Sequence, residues 1–264
     1  MARIRRAKGG LSSRVHVPTI VCVNKATAPL GVDFDDLIAA MQKFVDDHVA
    51  PVWGTRAKLV KARGFVKGKW AMVFLDHADH AHSLAYHDLT PDGLPLSRVF
   101  VKTTLNNKKL VSVSASHELV EMLVDPSINM VVMKPRSKLV YGYESADPVE
   151  ELTFRVKGIA MSNFVYPTYF ESFHKPGSVR FDHLGKIKKP FQIHAGGYQG
   201  IYKNGKWVQL FASLAKKKRF KREDRRGHRG DRRAGDKRVR KSAKNTKQSG
   251  RRASLRRRGG VHAI

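Results

Sequence analysis

The chain has 264 residues, 41% of them hydrophobic, and a formal net charge of +29 at pH 7 from 51 Lys and Arg against 22 Asp and Glu. The apolar share suffices for one large or two small cored domains, while no stretch reaches the ~20 apolar residues that a bilayer crossing needs. Its single cysteine, Cys22, excludes an internal disulfide, and nothing points to an oxidising compartment.

Residues 1–14 carry Arg3, Arg5, Arg6, Lys8 and Arg14 with no acid. They form a basic arm that lacks the apolar centre of a secretion signal. Residues 15–23 (VHVPTIVCV) predict a strand, with Pro18 favouring an edge position. A helix is expected over 34–48: Phe34, Leu37, Ile38, Met41, Phe44, Val45 and His48 repeat at three and four, Asp33 is the N-cap, and Ala50-Pro51 closes it. Residues 58–66 and 70–75 read as strands, the second (WAMVFL) apolar enough to be central. Asp76-His77-Ala78-Asp79-His80-Ala81-His82 is dense in potential ligands, and either a second metal site or a polar loop at a strand end accounts for it. Another strand is expected over 99–103, then a helix from about Ser112 to Asp125-Pro126, then strands near 130–133, 139–143, 154–156 and 159–162. The aromatic and Gly-rich region 164–211 reads as loops and strands, with Gly196-Gly197-Tyr198 a turn. The sum is an α+β domain over 15–214, a mixed sheet with a few helices.

Residues 215–264 form a second basic arm. Between 216 and 258 stand 22 Lys and Arg against four acids, a net of +18, and large apolar residues are nearly absent. Such a segment cannot bury enough surface to offset chain entropy and is expected to be disordered by itself. Lys216, Lys217, Lys218, Arg219, Arg225, Arg226, Arg232, Arg233, Arg251, Arg252, Arg256, Arg257 and Arg258 are the candidate nucleic-acid contacts. They would neutralise phosphates and release counterions with little regard to sequence; no interleaved aromatics offer base stacking. The expected location is the cytoplasm or the inside of a virion.

The most informative stretch is Ser116-His117-Glu118-Leu119-Val120-Glu121-Met122-Leu123-Val124-Asp125-Pro126. On a helix, His117, Glu121 and Asp125 stack along one face at i, i+4 and i+8. The spacing is that of the zinc-peptidase H-E-x-x-H motif with Glu121 in place of the second His, and a carboxylate oxygen ligates zinc as well. Glu118 stands where a general base belongs. Glu144 lies 23 residues beyond Glu121 and offers a third ligand, with Asp147 three residues on as a hydrogen-bonding support for a ligating His, and Asp125 in a similar supporting role. The bland reading of these residues is an amphipathic helix with a polar edge and a capped turn before Pro148. His174, His183 and His194 are further candidates for the third ligand.

Several phrases keep a fixed order over 34–200: Ala50-Pro51-Val52-Trp53-Gly54; Ala85-Tyr86-His87-Asp88 with Gly93-Leu94-Pro95 and Val99-Phe100-Val101; Ser116-His117-Glu118 through Asp125-Pro126; Tyr143-Glu144-Ser145-Ala146-Asp147-Pro148-Val149-Glu150; Asn163-Phe164-Val165-Tyr166-Pro167; and Pro190-Phe191 leading to Gly196-Gly197-Tyr198. In this the chain resembles a family of small bacterial and phage proteins regarded as metallopeptidases. The resemblance implies a zincin-like fold with His117 and Glu121 on the active helix and Glu144 as a further ligand; the basic tail lies outside it. The chemistry expected of such a site is zinc-dependent hydrolysis of a polypeptide, Glu118 taking the proton of the attacking water, and His87 or Tyr86 donating to the oxyanion unless the two form only a packed pair. A second function class fits the same residues: a non-enzymatic structural or packaging protein, such as a virion component, with an inactive zincin-like scaffold and basic arms on nucleic acid.

Overall fold

The computed structural model describes residues 17–79, 83–135, 137, 139–214 and 217. Its frame is a five-stranded sheet built from β1 (Thr19–Asn24), β2 (Lys58–Lys61), β3 (Trp70–Leu75), β4 (Ala85–Leu89) and β5 (Pro95–Phe100), in the order β2-β1-β3-β5-β4. β1, β2, β3 and β5 run parallel, and β4 closes one edge antiparallel to β5. Both faces of the central strands are covered, so β1 and β3 read as nearly continuous apolar runs. Ile20, Cys22, Met72, Phe74 and Val99 face the main core; Val21, Val23, Ala71, Val73 and Leu96 line a smaller one on the far side. Burial pushes the Cys22 thiol up to about 12 and leaves it an inert core residue.

Two helices fill the main core. In α1 (Phe34–Phe44), the Asp33 side chain accepts from the N–H groups of Asp35 and Asp36, as its N-cap position predicts. The helix does not stop at Ala50-Pro51. A π-helical turn, Val45–Val49, carries it into α2 (Ala50–Trp53), where Pro51 lies in the first turn and its missing N–H is tolerated. Gly54, at φ 68°, ends it in the left-handed conformation open to glycine. The strand expected over 99–103 is instead the end of β5 followed by α3 (Val101–Asn106). Val99, Phe100 and Val101 are all buried, and an apolar run that short does not distinguish a strand end from a helix start. The strand β4 escaped sequence reading because His87 and Asp88 interrupt its apolar pattern.

The second main-core helix, α4 (Val111–Val124), buries 12 of its 14 residues. A helix enclosed on all sides has no solvent face for its polar groups. Ser116 Oγ bonds back to the Ser112 carbonyl at 2.8 Å and accepts the Ser162 N–H at 2.8 Å, tying α4 to the hairpin of β8 (Thr153–Val156) and β9 (Ile159–Ser162). A four-stranded antiparallel sheet, ordered β11-β10-β7-β6, comprises β6 (Val131–Met133), β7 (Val140–Gly142), β10 (Tyr198–Lys203) and β11 (Lys206–Phe211). It packs with Val149, Val165, Tyr169, Phe170, Phe181, Ile187 and Phe191 around a second aromatic core. The architecture is α+β, and no helix among the described residues is long and apolar enough to cross a membrane.

The π turn aims His48 at His183: Nδ1 of the first lies 3.1 Å from Nε2 of the second, and the Tyr166 hydroxyl is 3.2 Å from His183 Nδ1. The His183 ring stacks on Phe164 at 5.1 Å. With both rings neutral, the Tyr166 hydroxyl can donate to His183 Nδ1 and the His183 Nε2–H to His48 Nδ1, so both nitrogens of His183 are satisfied. Burial, then the His48 charge, push the His183 pKa down to about 4. A group depressed in the fold but ordinary when unfolded adds no penalty above pH ~6.5, and costs stability as the unfolded state takes up its proton below that. Urea unfolding of the parent and of His183→Gln should therefore diverge between pH 6.5 and pH 4, the parent losing on the order of 1 kcal/mol more, a figure already reduced for the half-exposed ring. Parallel curves would remove the histidine pair as the cause.

Candidate metal centre

Register puts the first site residue in place. Cys22, Met72, Ser97 and His87 are successive partners across β1, β3, β5 and β4, so His87 continues the row that faces α4. Alternation turns Tyr86 to the opposite face of the strand, where its hydroxyl donates to Asp79 at 2.8–2.9 Å and Arg98 lies 5.3 Å over its ring. Tyr86 therefore does not sit beside the α4 motif as the expected oxyanion donor would; His87 does.

One turn of α4 supplies His117, Glu118 and Glu121, and the chain after β7 returns with Glu144 and, at the start of a 3-10 turn (Asp147–Val149), Asp147. All six side chains belong to residues no more than 9% exposed, His87 at 0%. His87 Nδ1 is 3.0 Å from Glu118 Oε2 and 3.6 Å from Glu121 Oε2, and its Nε2 is 3.7 Å from Glu144 Oε2. His117 Nε2 is 3.2 Å from Asp147 Oδ1 and 3.5 Å from Glu121 Oε1. The N–H groups of Ala146 and Asp147 donate to Glu121 Oε1 at 3.1 and 3.3 Å and so orient its carboxylate.

Two groups of three result, sharing Glu121: His117–Glu121–Asp147 and His87–Glu121–Glu144, each with its ligand atoms within 4.8 Å of one another. Ligand atoms about 2.0–2.2 Å from one ion stand roughly 3–3.6 Å apart, close to the 3.5 and 3.2 Å that separate His117 Nε2 from Glu121 Oε1 and Asp147 Oδ1; in the other group, Nδ1 of His87 faces Glu121 and Nε2 faces Glu144. This buried His/Glu/Asp cluster could hold a metal ion. The set expected from sequence, His117 with Glu121 and Glu144, is not one of the groups. Asp147, expected only to support a ligand, takes the place beside His117. The 3-10 turn points Asp147 at α4, while Glu144, three residues earlier, reaches the His87 side. Asp125 caps the loop after α4, accepting the N–H groups of Asn129 and Met130 at 2.9 and 3.0 Å.

Electrostatics follow from enclosure. Burial by itself lowers the His117 pKa, but the charge of Glu121 and the hydrogen bond to Asp147 outweigh it and hold the imidazole well above its usual value. Burial, then the Asp147 charge, push the Glu121 carboxyl up to about 7, against the pull of His117. Asp147 is raised chiefly by burial, opposed by the His117 hydrogen bond, and the Tyr198 hydroxyl also bonds its carboxylate.

Tyr198 is a site residue that sequence reading missed. The signal was the pair of glycines before it. A Cβ on Gly197 would lie 2.2 Å from the Pro148 carbonyl oxygen and 2.8 Å from that of Asp147. Only glycine lets this strand lie against the Asp147 turn. The other candidates fall elsewhere: His174 pairs with Glu171 at 2.7 Å, His183 with His48, and the His194 N–H donates to the Pro148 carbonyl at 2.9 Å. Of the 76–82 candidates, Asp76 accepts from the Thr27 and Ala28 N–H groups at 3.0 Å and pairs with Lys102 at 3.2 Å, while His80 and His82 lie outside the described residues. Of the basic-tail candidates, Lys217 is described, exposed with its N–H donating to the Ser213 carbonyl at 3.1 Å; the others lie outside the described residues, as does the arm over 1–14.

Compared with known proteins, the chain matches no family model, no curated protein and no solved structure.

Gly197→Ala should destabilise the fold by about 2 kcal/mol or more, the cost of an overpacked backbone contact. Gly200→Ala, with open space at its Cβ, is the control. Equal urea midpoints for the two variants would show that the close approach is not needed.

Proposed function

We propose that the cluster is the catalytic metal centre of a metal-dependent hydrolase of zincin-like type, acting on polypeptides, and that the basic tail tethers it to nucleic acid. The observation that carries this reading is Glu118 beside a complete ligand group. His117, Glu121 and Asp147 would hold the ion, with zinc the first candidate for a site of one imidazole and two carboxylates. The bound metal would supply Lewis acidity toward a carbonyl and acidify a water. Glu118 removes the proton of that attacking water as the C–O bond forms and returns it to the departing amine as the C–N bond breaks. His87, 3.0 Å from Glu118, fixes the orientation of that base. Tyr198 holds Asp147 from the other side.

The near-complete enclosure of all six residues favours one second reading, a structural metal in a non-enzymatic scaffold such as a packaging protein. Activity separates the two. Protein purified without chelator should carry zinc by elemental mass spectrometry and lose it in His117→Ala and Asp147→Asn. Glu118→Gln should keep the metal while cleavage of a casein or peptide-library substrate falls roughly 10²–10⁴-fold. Metal without turnover in the parent would favour the scaffold; no metal even after zinc is offered back would sink both readings.

For the tail, deletion of 215–264 should abolish nucleic-acid binding and its steep salt dependence. Binding that survives deletion unchanged would assign it to the folded domain.

A further inference from the structure

We infer that the centre takes two divalent cations rather than one, with Glu121 as the bridging carboxylate and His87 and Glu144 completing a second site. The inference rests on the metal-centre reading above and extends it to residues that reading leaves unused.

Three observations carry it. The two oxygens of Glu121 face different groups: Oε1 is 3.5 Å from His117 Nε2, and Oε2 is 3.6 Å from His87 Nδ1. A carboxylate placed this way joins two ligand groups instead of completing one, and the N–H groups of Ala146 and Asp147 hold it there.

The second observation is the setting of His87. Glu118 lies at hydrogen-bond distance from Nδ1, the arrangement in which a carboxylate accepts the N–H of one ring nitrogen and turns the lone pair of the other toward a metal; the 3.6 Å approach of Glu121 Oε2 to Nδ1 then shows which ring that oxygen faces, not a spacing of two ligand atoms. That other nitrogen, Nε2, stands 3.7 Å from Glu144 Oε2. The distance is longer than a hydrogen bond and close to the spacing of two ligand atoms on a single ion.

The third is charge. Glu118, Glu121, Glu144 and Asp147 are each 6% exposed or less, so their ionised forms are poorly reached by water. Each lies near an imidazole, but two imidazoles can balance at most two of the four carboxylates. One divalent ion with neutral, ligating histidines leaves two buried negative charges. Two divalent ions balance all four, which is the cheapest way to keep the ligands ionised in so enclosed a space. Paired ions about 3.5–4 Å apart are a recurrent hydrolytic arrangement.

The test is stoichiometry and magnetism, read without any substrate. Full-length protein stripped with chelator is titrated with manganese chloride, desalted, and measured by elemental mass spectrometry and by low-temperature electron paramagnetic resonance. Two manganese per chain with an exchange-coupled spectrum is the expected result, and Glu144→Gln should retain one manganese with the signal of an isolated ion. His87→Gln is the parallel variant should Glu144→Gln fail to fold. One ion per chain in the parent, with an uncoupled signal, overturns the second site and leaves the proposed function standing. No bound ion from manganese chloride or from zinc sulfate overturns both.

Discussion

Four carboxylates and two imidazoles confined between a buried helix and a sheet edge are the constraint on which the rest of this structure turns. Ionised groups out of reach of water are costly unless each finds an opposite charge or a ligand. α4 makes the problem acute, because 12 of its 14 residues are buried and it offers no wet face onto which a Glu could turn. Four of its polar side chains answer to partners inside the protein: Ser116 to β9, His117 to Asp147, Glu118 to His87, and Glu121 to the backbone of Ala146 and Asp147. The helix is thus fixed in rotation and height by polar contacts as much as by its apolar packing.

The surrounding fold can be understood as the means of delivering partners to that helix. The parallel strands provide a two-sided apolar base, and the antiparallel edge strand β4 adds one more position to the row, which His87 fills. On the opposite side, the stretch from Tyr143 to the Asp147 turn is held by hydrogen bonds to its backbone: the Val165 N–H donates to the Ser145 carbonyl at 2.7 Å, and the His194 N–H to Pro148 at 2.9 Å. The Gly196-Gly197 approach then sets Tyr198 on Asp147. The second aromatic core, which contributes no residue to the cluster, packs Val149 of that turn and so helps to keep Asp147 in position.

Charge is distributed over the chain in the opposite sense to the site. The centre concentrates acids in a dry interior, whereas the segment over 216–258 concentrates +18 in a sequence with almost no apolar residues. The two concentrations of charge are opposite in sign, so a polyanion attracted by the tail would be repelled by the acidic centre.

Local pattern alone determined much of this protein. The amphipathic period of α1, its Asp33 cap, the central strand over 70–75, and the one-face spacing of His117 and Glu121 on α4 all follow from short-range rules, because periodicity and capping are properties of neighbouring residues. The partners of that face were not legible. His87 sits on a strand whose pattern its own polarity obscures, and its position depends on register with β5. The exchange of Glu144 for Asp147 beside His117 depends on a 3-10 turn, and Tyr198 reaches the site only because the chain has no Cβ at Gly197. Sequence determined which residue types could bind and which helix carried them; tertiary structure decided which met, because contacts between residues distant along the chain are set by the packing of whole elements.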